Sequence, residues 1–441
     1  MSLSRDILQG NLENIKRRIN LGSSVNDFDP YGYTPLIMAL MTNQIDIVKL
    51  LVSKGADVNR PDIFGQPPLH WAIKLEYLDI CQYLIEKGAF TNTVSNYGEP
   101  ILVYPLLKKN FDLIDLLVNA GSSKIAAEDY IFTKYIGHHF ELQGYGCFKN
   151  YTNIMALVDY QGFRLEFSLH QLYRQFEAYA SISQDAIYSI STKDLLLILQ
   201  RAVKLRQIKK IFPSDQEKEF EKYIHDFNLI PMAFDGHAVS IAFSKNFIVT
   251  SDRALNRQET VVFYKLQKPL SIEEIGHFLY GKKSQEFWKN LPSSNLWKKV
   301  GSLSIPYQKT GNCSWANIET FPILIEGLKK LEMNHHIDRE RLLFQFQKWV
   351  DWSQSMLLKQ AALKIQQLSG DRKLALGKTL LDVVIQSKNQ SNTLEDLSNI
   401  FQQPDLKIFF SNLIDYMSAH SSDFQDEALR LQKNFKKRFS I

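Results

Sequence analysis

Residues Tyr33–Asn59 read YTPLIMALMTNQIDIVKLLVSKGADVN, and this stretch decides the fold of the N-terminal part of the chain. A Thr-Pro pair opens a short apolar run, which fits a helix whose first turn accommodates proline. A second helical run begins near Asp46, and Gly55 follows it at the position where a left-handed residue commonly ends a helix. The stretch therefore predicts two short helices joined by a turn and ended by glycine.

The same signals return with a fixed period along the first 125 residues. Glycines recur 33 residues apart, at Gly22, Gly55, Gly88 and Gly121. The period, the Thr-Pro-Leu helix start and the Gly-Ala-Asp-x-Asn exit resemble the ankyrin repeat. The resemblance implies an all-α solenoid of four repeats over residues 1–125, because each repeat buries its apolar stripe only against a neighbour. Ile7–Asn26 and Pro100–Gly121 depart from the motif and are interpreted as degenerate end repeats.

The resemblance also implies a surface that binds another protein. Ankyrin repeats present variable residues at their hairpin tips, which here fall at Asn26–Tyr31, Arg60–Phe64 and Thr93–Tyr97. The candidate contact residues in the last two tips are Arg60, Asp62, Phe64, Thr93, Ser95, Asn96 and Tyr97. The alternative is a purely structural stack that packs on the rest of the chain. His70 occupies the family's structural histidine position, for which a hydrogen bond within the turn is expected.

Composition excludes several classes of protein. The net charge of +5 is small for 441 residues and does not predict direct nucleic-acid binding. The three cysteines, Cys81, Cys147 and Cys313, are too few and too scattered for a disulfide framework or a multi-cysteine zinc site. We predict no metal and no cofactor. The sequence has no apolar run long enough to span a membrane and no apolar core of a signal peptide at its start.

A second informative stretch is Pro306–Asn317, which contains Cys313. The pattern from Ser314 to Leu331 predicts a helix, so the cysteine would stand at a helix N-terminus. The partial positive charge there favours a reactive thiolate. Gln308, five residues upstream, could donate its amide proton to a group held beside the sulfur. The alternative interpretation is a buried structural cysteine.

A histidine and an aspartate upstream could serve this cysteine. Three strands of an antiparallel meander are predicted at Asp235–Ser244, Phe247–Asp252 and Thr260–Leu266. That topology can bring His237, near the start of one strand, beside Asp252, at the end of the next. A carboxylate on one ring nitrogen of histidine fixes the other nitrogen toward a nucleophile.

The order His237, Asp252, Gln308, Cys313 resembles that of the ubiquitin-like-protease group of cysteine proteases, clan CE. The resemblance implies that Cys313 attacks as a thiolate, that His237 serves as base and acid, and that Asp252 orients the histidine, with Asn256 as the fallback. Gln308 and the backbone N–H of Cys313 would stabilise the oxyanion. Papain-like proteases place cysteine before histidine and do not fit. The sequence departs from the eukaryotic relatives at Ala238, where they often have tryptophan, and at Asn312.

The remaining parts of the chain complete a multidomain organisation. We predict an α+β cysteine-protease-like domain at residues 126–330 and an all-α C-terminal domain at residues 331–441. Two further strands are predicted at Asn153–Tyr160 and Gly162–Ser168. The predicted helices are Leu172–Ala180, Thr192–Leu205, Ser214–Phe227, Arg339–Leu368, Lys373–Ser387, Thr393–Phe401, Asp405–Ala419 and Ser422–Phe439. The basic tail Asn434–Ile441 is interpreted either as a frayed helix end or as a type IV translocation signal.

The combination of these three parts resembles the ankyrin-repeat effectors of Legionella, and among them the AnkH type. The resemblance implies a protein that the bacterium secretes into a host cell, to act in the cytoplasm or nucleus. The leading hypothesis is a scaffold that binds a host protein through its repeats and carries a thiol hydrolase acting on a peptide or ubiquitin-like substrate. The alternatives are a catalytically inactive interaction protein and an acyltransferase that uses the same residues.

Overall fold

A computed structural model gives the fold of the chain as two compact units, Met1–Thr133 with Tyr145–Asp159, and Lys134–Gly144 with Tyr160–Ile441. It describes residues 3–96, 98–152, 154–160, 165–182, 190–207, 224–234, 237–253, 259–271, 274–275, 297–305, 317–386 and 404–420. Within these ranges a few side chains, that of His237 among them, are not described. The domain boundaries predicted at residues 125 and 330 stay predictions.

The first unit begins with four successive pairs of short helices. They are α1 (Leu3–Leu8), α2 (Leu12–Asn20), α3 (Pro35–Met41), α4 (Ile45–Ser53), α5 (Pro68–Lys74), α6 (Leu78–Glu86), α7 (Val103–Lys108) and α8 (Phe111–Asn119). The predicted all-α repeat architecture is therefore confirmed. The predicted Thr-Pro helix start is present at α3. The Thr34 hydroxyl caps this helix by accepting a hydrogen bond from the Ile37 N–H at 3.2 Å, and Pro35 lies in the first turn.

One asparagine per repeat ties each repeat to the next. The Asn59 side chain donates to the Gly88 carbonyl at 2.9 Å and accepts from the Phe90 N–H at 2.7 Å. Asn26 and Asn92 make the equivalent bonds one repeat earlier and one repeat later. The 33-residue spacing of these asparagines thus has a direct structural cause: each side chain replaces backbone partners that an isolated repeat would leave to water.

A long helix and a β-hairpin follow the repeats. Helix α9 (Lys124–His139) precedes strands β1 (Tyr145–Lys149) and β2 (Met155–Asp159), which pair antiparallel in the first unit. The strand predicted at Asn153–Tyr160 corresponds to β2. It pairs with β1, which precedes it in the chain, and not with a strand that follows it. The strand predicted at Gly162–Ser168 is wrong for residues 165–168, because a helix, α10 (Leu165–Ile182), begins there; residues 162–164 lie outside the described residues. Leu169, Leu172 and Phe176 are buried at helical spacing, and this longer period outweighs the local alternation.

The second unit contains a five-stranded antiparallel meander. Its strands, in spatial and chain order, are β3 (Asn228–Phe234), β4 (His237–Phe243), β5 (Phe247–Ser251), β6 (Val261–Leu266) and β7 (Trp297–Leu303). The three strands predicted in the centre are confirmed. The outer two were not predicted, and β3 contains Pro231, which argues against a central strand but is tolerated at a sheet edge. The helix predicted at Ser214–Phe227 falls mostly outside the described residues, and its last residues, 224–227, are not helical.

Helices cover this sheet and continue to the C-terminal part. They are α10, α11 (Thr192–Gln207), α12 (Phe321–Glu332), α13 (Arg339–Gln366), α14 (Gly370–Gln386) and α15 (Pro404–His420). Helix α12 packs on β4 and β5. A Cβ placed on its Gly327 would lie 2.4 Å from Phe263 Cε1, so the helix approaches β6 as closely as glycine permits. The helices predicted at Thr393–Phe401 and Ser422–Phe439 lie outside the described residues.

Candidate functional site

Strands β4 and β5 hold the two upstream members of the predicted triad. Their register pairs Ser240 with Ser251. His237 is the first residue of β4, three positions before Ser240, and Asp252 directly follows Ser251, the last residue of β5. The Asp252 N–H donates to the Thr260 carbonyl at 2.8 Å, which extends the β5–β6 ladder by one residue. Asp252 is buried at 4% exposure.

Asn317 joins the two strand ends. Its side-chain Nδ2 donates to the carbonyl of Ala238, the residue after His237, at 2.7 Å. Its Oδ1 accepts from the N–H of Arg253, the residue after Asp252, at 2.8 Å. Asn317 is itself fully buried. A single amide therefore holds together the chain next to His237, the chain next to Asp252 and the chain four residues after Cys313.

Two hydroxyl groups complete the polar layer between α12 and the sheet. The Thr320 hydroxyl lies 2.6 Å from the Asn317 carbonyl and 2.9 Å from Ser251 Oγ. Ser251 Oγ in turn lies 3.4 Å from Asn317 Oδ1. All three side chains are buried, so these bonds form where water does not compete for them. They fix the chain that leads into α12 against the end of β5.

Arg253 is a fully buried cation at this end of the sheet. Its guanidinium lies 3.3 Å from Glu141 Oε1 and 3.6 Å from Glu319 Oε2, with Glu319 buried as well. Nearby, Tyr135 accepts a hydrogen bond from Gln175 at 2.9 Å. Burial and then the Glu319 charge raise the pKa of Tyr135 well above its ordinary value. The end of β5 is therefore embedded in buried charged and polar groups rather than in solvent.

The other predicted catalytic residues cannot be placed by contacts. Cys313, Gln308 and the fallback Asn256 lie outside the described residues, as does the His237 side chain. Of the helix predicted at Ser314–Leu331, residues 317–318 are helical, 319–320 form a turn, and α12 starts at Phe321. Sequence reasoning missed Asn317 and Arg253 as functional candidates. Their only signal was adjacency: one ends the Cys313 stretch, and the other follows Asp252.

The repeat tips form the second candidate site, within the first unit. Exposed apolar side chains at the first two tips are Phe28, Tyr31, Ile63 and Phe64. The Arg60 guanidinium lies 4.6 Å from the ring centre of Phe28, a cation–π contact between neighbouring tips. An open cavity of about 420 Å³ adjoins the third tip and is lined by Ala89, Phe90, Thr91, Asn92, Thr93 and Tyr151.

Several candidate contact residues also shape the tips. The Asp62 carboxylate is buried and accepts from the Phe64 N–H, the Gln66 N–H and the Trp71 indole, each at 2.9 Å. Ser95 is buried in the equivalent turn, and Tyr97 lies outside the described residues.

Asn96 and Thr93 link one tip to another repeat. Asn96 is exposed and donates from its side chain to the Ile63 carbonyl at 3.0 Å. His70 lies 2.9 Å from the Thr93 hydroxyl, so its bond reaches the next tip rather than staying within its own turn.

Comparisons with known proteins agree with this architecture. A family model described as "Ankyrin repeats (many copies)" matches residues 5–52 and 38–85, so the helix pairs up to residue 85 are ankyrin repeats. Among solved structures, the chain is similar to the one titled "Structure of Legionella Effector AnkH". The TM-score is 0.74 and the sequence identity 26%, and the match covers 100% of this chain and 97% of that one. No curated protein sequence matches the chain. Within the part of the chain that the structure describes, no helix is both long and apolar enough to cross a bilayer.

Proposed function

We propose that this chain is a secreted effector that binds a host protein through its ankyrin tips and carries a Cys313–His237–Asp252 thiol hydrolase site. Ankyrin repeats are protein-binding modules, and the similarity to a Legionella effector extends over the whole chain. In this proposal the repeats select the target, in the host cytoplasm or nucleus, and the second unit acts on a peptide or ubiquitin-like substrate.

The tip surface supports the binding part of the proposal. Phe28, Tyr31, Ile63 and Phe64 leave apolar area exposed side by side on two adjacent tips. Interface centres are enriched in aromatic side chains and arginine, and Arg60 stacks on Phe28 among them. In the cavity beside the third tip, Asn92 and Thr91 already bond the next repeat through their side chains. That leaves Phe90 and Tyr151 to contact apolar groups of a partner.

The observation that carries the catalytic part is the position of Asn317. Its amide bonds the residues that directly follow His237 and Asp252. Cys313 precedes Asn317 by four residues. Four residues span about 6 Å in a helix and at most about 14 Å when extended. Covalent geometry therefore keeps the Cys313 Cα within about 14 Å of the Asn317 Cα, which allows the thiol to approach the two strand ends that Asn317 joins.

Strands β4 and β5 carry the other two members of the proposed triad at one end of the sheet. Their register ends at the Ser240–Ser251 pair. Beyond that pair, the Asn317 amide takes the place of direct bonds between Ala238 and Arg253, so the two chains are joined through this side chain and not by a regular ladder. In the proposal, His237 and Asp252, which directly precede these two residues, meet at this end of the sheet.

The chemistry follows from these roles. With its proton on His237, the Cys313 thiolate would add to the substrate carbonyl, and Gln308 with the Cys313 N–H would stabilise the oxyanion. That addition forms the C–S bond; the histidine would then give its proton to the leaving amine as the C–N bond breaks, which leaves the acyl group on the sulfur as a thioester. Water, deprotonated by the same histidine, would then release the acid and regenerate the thiol. An acyl acceptor other than water would make the same site a transferase.

Thiol reactivity tests the catalytic part. The full-length protein is treated with iodoacetamide at pH 7, and each cysteine is quantified by peptide mass spectrometry. We expect Cys313 to react much faster than Cys81 and Cys147, which are buried thiols; burial raises the pKa of Cys81 to about 12. Asp252→Asn should slow Cys313 at least several-fold. A Cys313 that reacts no faster than a free peptide thiol refutes the nucleophile.

Host-cell interaction tests the binding part. Proximity labelling in host cells is compared for the natural chain, Phe64→Ala with Arg60→Ala, and Cys313→Ala. We expect the tip variant to lose its labelled host proteins and Cys313→Ala to keep them. Phe111→Ala on α8 is the matched control, since Phe111 is an equally apolar exposed ring away from the tips. Unchanged labelling by the tip variant contradicts binding through this surface.

A further inference from the structure

We infer that Arg253 is a positioning residue, held by Glu141 and Glu319, that fixes Asp252 for the proposed triad. The inference rests on the proposed function of Cys313, His237 and Asp252, and it adds a role that the triad itself does not include. It concerns three side chains from separate parts of the second unit: the segment after α9, the end of β5 and the turn before α12.

The geometry places Arg253 directly after the predicted orienting acid. Its side chain is fully buried between Glu141 Oε1, at 3.3 Å, and Glu319 Oε2, at 3.6 Å. Its backbone N–H is bound by Asn317. The Asp252 N–H is bound by the Thr260 carbonyl. Both ends of the Asp252–Arg253 peptide are therefore fixed, one in the ladder and one by the buried ions.

Arg253 holds the end of β5 with a buried charge, although an apolar side chain could pack there at a lower free-energy cost. Burying charged groups carries a large desolvation penalty, and apolar replacements are often equally stable. A simple core position would be filled by leucine or methionine. A buried arginine between two carboxylates is therefore better explained by a demand for orientation, since its planar guanidinium bonds carboxylates in fixed directions.

Glu141 lies where the chain leaves α9. Its backbone has φ = +52°, a left-handed conformation that commonly ends a helix, and its N–H donates to the His138 carbonyl. Asn43, Glu76, Lys109 and Asn334 have the same conformation at other helix ends, so the conformation belongs to the helix cap. What is particular to Glu141 is its carboxylate, which lies 3.3 Å from the Arg253 guanidinium.

The role predicts a specific dependence between two residues. If Arg253 acts by orienting Asp252, removing the guanidinium should change the reactivity of Cys313 only in proteins that keep the Asp252 carboxylate. The pH midpoint of Cys313 alkylation should rise in Arg253→Met, because a poorly oriented histidine stabilises the thiolate less. A rise of about one pH unit slows alkylation roughly tenfold below the midpoint.

The experiment measures Cys313 alkylation by iodoacetamide from pH 5 to 9 in the full chain. It compares the natural protein with Arg253→Met, Arg253→Lys, Asp252→Asn and the Arg253→Met/Asp252→Asn double variant. We expect Arg253→Met to raise the midpoint, Arg253→Lys to restore part of the shift, and the double variant to match Asp252→Asn alone. Additive shifts, or an unchanged midpoint in folded Arg253→Met, overturn the inference.

A second variant decides the matter if Arg253→Met fails to fold. Glu141→Gln removes one carboxylate charge from the edge of the cluster while keeping an oxygen that can accept from Arg253. We expect a smaller rise in the same direction, and no rise overturns the inference. If the natural protein itself shows the midpoint of an ordinary thiol, about 8.5, the proposed function and this inference fall together. If the natural protein has a lowered midpoint but the Glu141 and Arg253 variants have the same midpoint as the natural protein, the inference about Arg253 fails and the proposed function stands.

Discussion

Replacing Asn317 by alanine tests whether one amide joins the two strand ends. The change leaves the buried Ala238 carbonyl and the buried Arg253 N–H without the bonds of 2.7 and 2.8 Å that they make now. Each buried backbone group left unsatisfied costs about 1–3 kcal/mol. Allowing for partial relaxation, we expect Asn317→Ala to lower the free energy of unfolding by about 2–4 kcal/mol.

The assay is urea unfolding followed by tryptophan fluorescence. Apart from Trp71, the tryptophans lie at residue 288 and beyond, so the signal reports mainly on the second unit. Asn246→Ala is the matched control: its amide donates to Glu332 at 2.8 Å but is exposed, so we expect a loss below about 1 kcal/mol. If Asn317→Ala loses no more than Asn246→Ala, the reasoning about the strand ends is refuted.

Asn317→Asp adds a pH test of the same contact. One carboxylate oxygen can still accept from the Arg253 N–H, but the ionised group has no proton for the Ala238 carbonyl. Burial should raise the pKa of the new carboxyl above its unfolded value of about 3.9, so the folded state binds more protons. Relative to the natural protein, the stability lost in this variant should therefore be smallest below about pH 4 and grow as pH rises through the raised pKa. A pH dependence identical to that of the natural protein contradicts this.

Three further outcomes follow from the packing. Burial, and then the charge of Lys74, lower the pKa of the buried His70 to about 3. The unfolded state therefore binds more protons than the folded state between about pH 6.5 and 3. The free energy of unfolding should fall as pH drops through that window, by up to about 1.4 kcal/mol per pH unit. His70→Gln should flatten this fall in thermal unfolding from pH 7 to 4; an unchanged slope contradicts it. Gly327→Val should lose more than about 2 kcal/mol in urea unfolding, because its side chain would meet the buried Phe263 ring, whereas a loss near zero would deny the close approach. Asn59→Ala should speed amide hydrogen exchange in α5 and α6, with about 1 kcal/mol lost, and unchanged exchange would show the bridge to be dispensable.

The repeats could be predicted from sequence because their physics is local and repeated. Thr34 caps its own helix three residues on, and Gly55 ends a helix in its own repeat at φ = +88°. Even the bond from Asn59 to Gly88 reaches only the neighbouring repeat, and it recurs at Asn26 and Asn92, so it is visible in the sequence as a regular spacing of asparagines. Each signal lies within one repeat or its neighbour, and the pattern is legible without knowing the rest of the fold.

The middle of the chain was harder to predict because tertiary context decides its elements. β3 carries Pro231 and reads poorly as a strand, yet β4 pairs with it along its whole length. Residues 165–168 look like a strand end, but Leu169, Leu172 and Phe176 bury a helical face that extends back through them. Local alternation over a few residues is a weaker signal than the packing of a complete face.

The candidate site shows the same limit more sharply. The order of His237, Asp252 and Cys313 could be read from the sequence, because order is a one-dimensional property. What supports their meeting is a bond from Asn317 to a residue 79 positions earlier and another to one 64 positions earlier. No period or motif marks such contacts. A buried amide four residues after a proposed nucleophile becomes informative only when its partners are the residues that directly follow the proposed base and acid. The catalytic hypothesis therefore gains its support from Asn317, a residue that the resemblance to a protease family did not single out.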